Sequence, residues 1–170
     1  MQSGLALSLA AARVYPDYQS MMAQESALAA DQRMQFVAIV TPNHLHFPVA
    51  TAALAAGFHV LSDKPATVSL AQALRLRQQV RETGLLYGLT HTYNGYPMIK
   101  EARQRIHAGE LGTIRKIMVE YCQGWLSAKE EDAGNKQAQW RVDPETSGIS
   151  CCMADIGVHA ANLAEYVSGL

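Results

Sequence analysis

The sequence predicts an α/β fold, an incomplete parallel sheet with helices packed against it. Two observations carry this. Apolar runs of strand length alternate with longer helix-compatible segments, and the runs end in Pro, Asn, Asp or Gly, which break strands and place loops at one end of a sheet. With 49% hydrophobic residues in a 170-residue chain, there is enough apolar material for a buried core.

Taken in order, Leu5 to Ala12 and Asp17 to Ala29 read as helices, and Phe36-Val37-Ala38-Ile39-Val40 reads as a strand buried on both faces. Thr41-Pro42-Asn43 ends that strand. Pro48 suits the first turn of a helix, where a missing N–H costs nothing, and the helix continues over Val49 to Ala56 until Gly57 stops it. Phe58 to Leu61 is a second strand, and Ser62-Asp63-Lys64-Pro65 is its loop. The next helix begins near Ser69, where Ser69 and Gln72 have capping-box spacing. Leu85 to Leu89 is a third strand, so three strand and helix pairs fall within about 60 residues, the period of repeated βα units. Pro97 to Ala108 is expected to be helical, with Gly109 and Gly112 turning the chain. Ile114 to Tyr121 interleaves β-branched and charged residues like a half-exposed strand. Gln123 to Ser147 lacks periodicity and reads as a long functional loop or lid. Ile149 to Val167 is a final helix ended by Gly169.

The charge balance excludes some partners. Fourteen Lys and Arg against fifteen Asp and Glu give a formal charge of -1, and no dense basic run exists to neutralise adjacent phosphates, so nucleic acid is not expected. No apolar run approaches the roughly 20 residues of a membrane span. The apolar opening has no preceding Lys or Arg and is broken by Ser8, so it is not read as a signal peptide. Cys122, Cys151 and Cys152 lack the spacing of a zinc or redox site, which fits a reduced, cytoplasmic setting, and Cys151 and Cys152 are expected to be small buried hydrophobes.

Candidate chemistry gathers at three places. On a helical wheel Asp155, His159, Asn162 and Tyr166 fall within about 60° of one another, and Ile156, Ala160, Leu163 and Val167 form a separate apolar stripe. A carboxylate one turn from an imidazole can orient it as a general base, although a plain surface ion pair has the same spacing. Asp63-Lys64-Pro65 follows a strand at the carboxyl edge of the sheet, where open α/β folds bind ligands. Lys64 there is either a substrate-binding cation or a solvated turn charge, and a cis Lys64–Pro65 bond is expected. Thr41-Pro42-Asn43-His44-Leu45-His46 follows the preceding strand in the same way and offers hydrogen-bonding groups to a nucleotide. A rival reading takes His44, His46 and Asp155 as metal ligands, with His91 and His159 nearby. Trp140-Arg141 and the Tyr87, Tyr93, Tyr96 group either stack on rings and grip hydroxyls or pack in the core.

Four segments in sequence carry a more specific signal: Val37 to His46 with its Thr41-Pro42-Asn43-x-x-His46, Gly57 to Pro65 with Asp63-Lys64-Pro65, Gly109-Glu110-Leu111-Gly112, and Asp155-Ile156-Gly157-Val158-His159. Together they resemble the Gfo/Idh/MocA family of NAD(P)-dependent oxidoreductases, from about Tyr15 onward. The resemblance implies a Rossmann-like fold, NAD or NADP as cofactor, and a sugar, inositol or related polyol as substrate. It implies that Lys64, Asp155 and His159 are catalytic: His159 takes the hydroxyl proton, Asp155 holds that imidazole and Lys64 binds the reacting oxygen. It also implies that Thr41, Pro42, Asn43, His46, Asp63 and Lys64 line the cofactor, with His91, Tyr93, Trp140 and Arg141 at the nicotinamide or substrate.

Departures accompany the matches. The chain contains no G-x-G-x-x-G, the loop that receives a pyrophosphate, and both ends read as cut. Asp63 stands where the family usually has Glu, and Ser147-Gly148-Ile149-Ser150 replaces a more glycine-rich approach to the last helix. Residues 1–92 are accordingly expected to be a partial dinucleotide-binding domain, and residues 93–170 the start of a substrate domain. The expected function is a dehydrogenase, inactive as this piece alone and homo-oligomeric as the full-length parent. The competing expectations are a metal-dependent hydrolase built on His44, His46 and Asp155, and a non-catalytic assembly module that pairs through an exposed sheet edge.

Overall fold

A computed structural model describes residues 8–170. The expected first helix falls partly outside the described residues. Within the described residues this stretch forms only a short 3₁₀ turn at Ala11–Arg13, none of whose residues is buried. Helix α1 runs Tyr18–Ser26, capped by Asp17, whose Oδ1 accepts from Ser20 N at 2.6 Å. It is shorter than expected. Its inner face buries Met22 and Glu25, and the Glu25 carboxylate accepts from Arg13, Tyr15 and Met34 N, tying the entering chain to the helix.

Three strands, β1 (Phe36–Ile39), β2 (His59–Ser62) and β3 (Tyr87–Leu89), form one parallel sheet in the order β1-β2-β3. Between them lie α2 (His46–Ala55) and α3 (Leu70–Thr83). The expected capping box at α3 is present. Ser69 Oγ accepts from Gln72 N at 3.3 Å, and Gln72 Oε1 accepts from Val68 N at 3.2 Å. At the other end of α3, Gly84 adopts a left-handed φ of 66°.

Val37, Ile39 and Val60 meet Met22, Val49, Ala50, Ala53, Leu54, Phe58 and Leu76 in one core on the helix-bearing face. The opposite face corrects the expectation of a strand buried on both sides, since Phe36 and Leu61 are exposed there. A parallel strand is buried twice only when helices cover both faces, and among the described residues they cover one.

Helix α4 (Pro97–His107) follows, and Gly109 and Gly112 turn the chain with φ of 81° and 66°. Ile114 to Tyr121 does not form the expected strand: residues 113–123 make no backbone–backbone hydrogen bond among the described residues. β propensity needs a partner ladder to become a strand, and none is adjacent here. The expected long loop contains two short helices, α5 (Lys136–Val142) and α6 (Pro144–Ser147). Asn135 and Asp143 cap them locally, a signal readable in the sequence. The final helix is not uniform either. A π turn at Met153–Gly157 leads into α7 (Val158–Ser168), which packs on α4 and ends at Gly169. All three cysteines are exposed; Cys151 and Cys152, expected to be buried, lie on the outward side of the first turn of this helical segment.

Candidate active site

The site begins at the carboxyl edge of the sheet. In the strand register, Ile39 pairs with Ser62 and Ser62 with Leu89, so the loops after all three strands leave the sheet side by side. Asp63 N donates to Ile39 O at 2.8 Å, and Thr90 N donates to Ser62 O at 3.0 Å. The Asp63 carboxylate binds the loops together, since its Oδ1 accepts from Lys64 N and from Thr90 Oγ1, both at 2.8 Å. The Lys64–Pro65 bond is cis, as expected from the sequence.

These loops aim Lys64 at the π turn. Its Nζ lies 2.5 Å from Asp155 O, 3.2 Å from Asp155 Oδ1 and 3.4 Å from Ala154 O. A π turn widens the helical ladder, and here the ammonium of a distant loop satisfies two carbonyls of that widened turn. The same carboxylate oxygen takes a second cation, Arg141, at 2.5 Å. The Arg141 guanidinium sits over the rings of Trp140 and Trp125, 4.7 and 5.5 Å from their centroids.

His159 is buried beside this pair, 7% exposed, with the Tyr93 ring centroid 4.6 Å from its own and His91 edge-on at 6.1 Å. Burial, then the positive charge of Lys64, then His91 hold its pKa below the ordinary imidazole value, against the smaller opposing pull of Asp155 and Asp63. Burial likewise lowers His91, with Lys64 adding to it and Glu165 opposing. The Tyr93 hydroxyl accepts from Tyr121 at 2.9 Å, and this bond is the leading cause of its raised pKa. A neutral, desolvated imidazole beside a fixed ammonium is equipped to accept a proton from an oxygen that the ammonium holds.

Two cavities flank Arg141. One of about 200 Å³ is lined by Val40, Thr41, Pro42, Asp63, Lys64 and Trp140. Thr41 Oγ1 is buried beside it without a hydrogen-bond partner, an orphaned group that a bound polar ligand would satisfy. The other, of about 240 Å³, is lined by Tyr121, Trp125, Leu126, Cys152, Asp155 and Ile156. The residues around the first cavity fit the nicotinamide end of a dinucleotide, with apolar walls from Val40, Pro42 and Trp140 and polar groups from Thr41 and Lys64.

Several sequence-based assignments change. His46 is 1% exposed, with Nδ1 and Nε2 lying 2.6 and 2.8 Å from the carbonyl oxygens of Pro65 and Thr41. It fastens the two loops to each other and does not line the cavity. Asn43 lines the cavity but spends its Nδ2 on Ser147 O at 2.9 Å, and His44 Nδ1 lies 3.2 Å from Thr146 O. With His46 turned inward and His44 turned to α6, the rival metal reading loses both of its histidines, and no cluster of metal-binding side chains stands elsewhere among the described residues. Asp155 bonds to Lys64 and Arg141, not to His159. Of the expected polar stripe, Asn162 turns to Asn94 at 2.7 Å and Tyr166 to Arg103. Trp125 went unread, since no periodicity marks it, and Tyr121 was read only as the end of a strand.

The comparisons with known proteins agree with this fold. The profile of the "Oxidoreductase family, NAD-binding Rossmann fold" matches residues 3–91, and the "GFO/IDH/MocA C-terminal domain" matches residues 99–170. The chain is 30% identical over 164 residues to an uncharacterized oxidoreductase, YfiI, of Bacillus subtilis (strain 168), covering 96% of this chain and 41% of that protein. It is 28% identical to levoglucosan dehydrogenase of Pseudarthrobacter phenanthrenivorans (strain DSM 18606 / JCM 16027 / LMG 23796 / Sphe3), covering 82% of this chain and 34% of that protein. Its fold matches an inositol dehydrogenase homolog from Azotobacter vinelandii complexed with NAD+, with a TM-score of 0.91 and 37% identity over 98% of this chain and 42% of that one. The same homolog complexed with NADH and myo-inositol matches with a TM-score of 0.85 and 35% identity, over 98% and 41%. No helix among the described residues is long and apolar enough to cross a membrane. With a Rossmann-type parallel sheet, a lysine at its edge reaching an Asp-x-x-x-His helix, and both family profiles matched, the chain belongs to the GFO/IDH/MocA oxidoreductase family.

Proposed function

We propose that this chain is part of an NAD(P)-dependent dehydrogenase of a sugar, inositol or related polyol. Residues 1–92 supply part of the dinucleotide-binding domain, and residues 93–170 begin the substrate domain. The observation that carries the reading is the contact of Lys64, on a sheet-edge loop, with Asp155, four residues before the buried His159 whose imidazole feels the Lys64 charge, beside a cavity with an unsatisfied threonine hydroxyl. The relatives named above add weight, since one is a levoglucosan dehydrogenase and another was crystallised with NADH and myo-inositol.

The nicotinamide supplies the hydride acceptor, and the side chains do the rest. Lys64 holds the reacting hydroxyl oxygen, using the N–H that otherwise makes the long 3.4 Å contact to Ala154 O. His159, kept neutral by burial, takes the hydroxyl proton. Asp155 acts on the ammonium, fixing its position and balancing its charge. Thr41, Pro42, Asp63 and Lys64 border the cofactor, with Trp140 and Arg141 closing that side and His91 and Tyr93 bordering His159.

Lacking any glycine-rich phosphate loop, the 170 residues by themselves bind the dinucleotide weakly. Calorimetric titration with NAD and with NADP tests this, and micromolar binding to the chain would refute it. The dehydrogenase reading is tested by following reduced-nicotinamide absorbance with a panel of inositols and aldoses, using the longest natural form of the protein. Turnover that His159→Gln abolishes is expected. Turnover indifferent to His159→Gln and Lys64→Met would remove the reading.

A further inference from the structure

One oxygen of Asp155 receives two cations. Its Oδ1 lies 2.5 Å from Arg141 Nη1 and 3.2 Å from Lys64 Nζ, so the guanidinium holds the carboxylate more closely than the ammonium does. Arg141 is itself held in place, because its guanidinium rests over the rings of Trp140, on α5, and Trp125, in the stretch before α5. Asp155 stands four positions before His159, the spacing at which a carboxylate reaches an imidazole one helical turn on. Its hydrogen bonds nevertheless go to Lys64 and Arg141.

We propose that Arg141 is a positioning residue: it captures the Asp155 carboxylate, keeps it off the His159 ring and leaves it to hold Lys64. This role deepens the dehydrogenase reading and rests on it for its meaning in turnover. An imidazole paired with a carboxylate binds its proton more tightly, whereas the base of an alcohol oxidation has to start unprotonated. The charged and titratable groups that face His159 are Lys64 and Asp63 from the sheet-edge loop, His91 and Tyr93 from the stretch before α4, and Asp155 from its own helical segment. Helix α4, which also packs on α7, directs Arg103 to Tyr166. Of these groups only the two carboxylates favour the charged ring. Asp63 Oδ1 is already tied by Lys64 N and Thr90 Oγ1, so Asp155 is the carboxylate whose position Arg141 controls.

Titration of the imidazole protons by NMR on the cofactor-free 170-residue chain tests this independently of turnover. Arg141→Gln is expected to raise the His159 midpoint by about half a pH unit or more, roughly a three-fold gain in proton affinity. Arg141→Lys, which restores a cation without the fork, recovers part of the shift. Asp155→Asn separates positioning from mere loosening of the site. In that background Arg141→Gln leaves His159 where it was, because no carboxylate remains to be released, whereas a looser, wetter site raises the ring in both backgrounds. Amide spectra confirm that β1 to β3 stay folded in each variant. An unchanged His159 in Arg141→Gln, or an equal rise in both backgrounds, would overturn the proposal. Turnover indifferent to His159→Gln would instead remove the dehydrogenase reading and leave the titration result standing.

Discussion

Lys64 and Asp155 meet between the sheet edge and the final helix, the ammonium 2.5 Å from the main-chain oxygen of Asp155 and 3.2 Å from its carboxylate. One residue ends a strand loop and the other sits in a π turn, so the contact locks the sheet edge to the final helix.

Lys64→Met removes both the cation and its three contacts. Turnover is expected to fall at least about 100-fold, because a charge aimed at a reacting oxygen is a large part of such a site's power. Steady-state kinetics on the folded variant, compared with Lys64→Arg, checks this. Arg is also expected to fail, since its planar fork cannot replace a compact ammonium against the two carbonyls.

The pH dependence follows from His159. Its folded pKa lies below the ordinary 6.5, so the unfolded chain takes up a proton first as pH falls. The stability contributed by the neutral ring is full above about pH 6.5 and is lost as pH drops through the lower folded value. NMR titration of the imidazole protons should place His159 below a free histidine. Lys64→Met should move it upward, since the second cause of its lowering is gone. A His159 that titrates at or above the free value contradicts the site as described.

His46→Gln tests the loop fastening. The carbonyls of Pro65 and Thr41 lose the buried ring lying between them, and the one to which its N–H donates loses its partner, which is expected to cost about 1–3 kcal/mol. Urea unfolding measures it, and a cost below about 0.5 kcal/mol would show that the ring is not a structural tie.

Arg141→Gln addresses the segment between residues 123 and 147. The pair with Asp155 is partly exposed, at 24% and 19% for the two side chains, so its loss is expected to cost only about 1–2 kcal/mol of stability. Its local effect should be larger. Hydrogen exchange in α5 and α6 is expected to speed up while that of β1 to β3 stays unchanged.

Much of this was legible along the chain because it depends on neighbours in sequence. Periodicity and turn residues gave the three parallel strands and the helices between them, Ser69 and Gln72 announced their cap, and the family resemblance of four short motifs singled out Lys64, Asp155 and His159, of which Lys64 and Asp155 are in contact. The sequence by itself therefore determined the order of elements and the types of group brought to the sheet edge. The tertiary structure alone decided which of those groups face one another. His46, read as a cofactor contact, is turned inward by two carbonyls that only the folded loops bring together. Asp155, read as the partner of His159 on a regular wheel, is displaced by a π turn and captured by Lys64 and Arg141, 91 and 14 positions away. Ile114 to Tyr121 has strand composition but no strand, because a ladder needs a second backbone and sequence carries no information on where one lies. Local propensity is written residue by residue, whereas long-range contacts depend on how loops and helices share the same space.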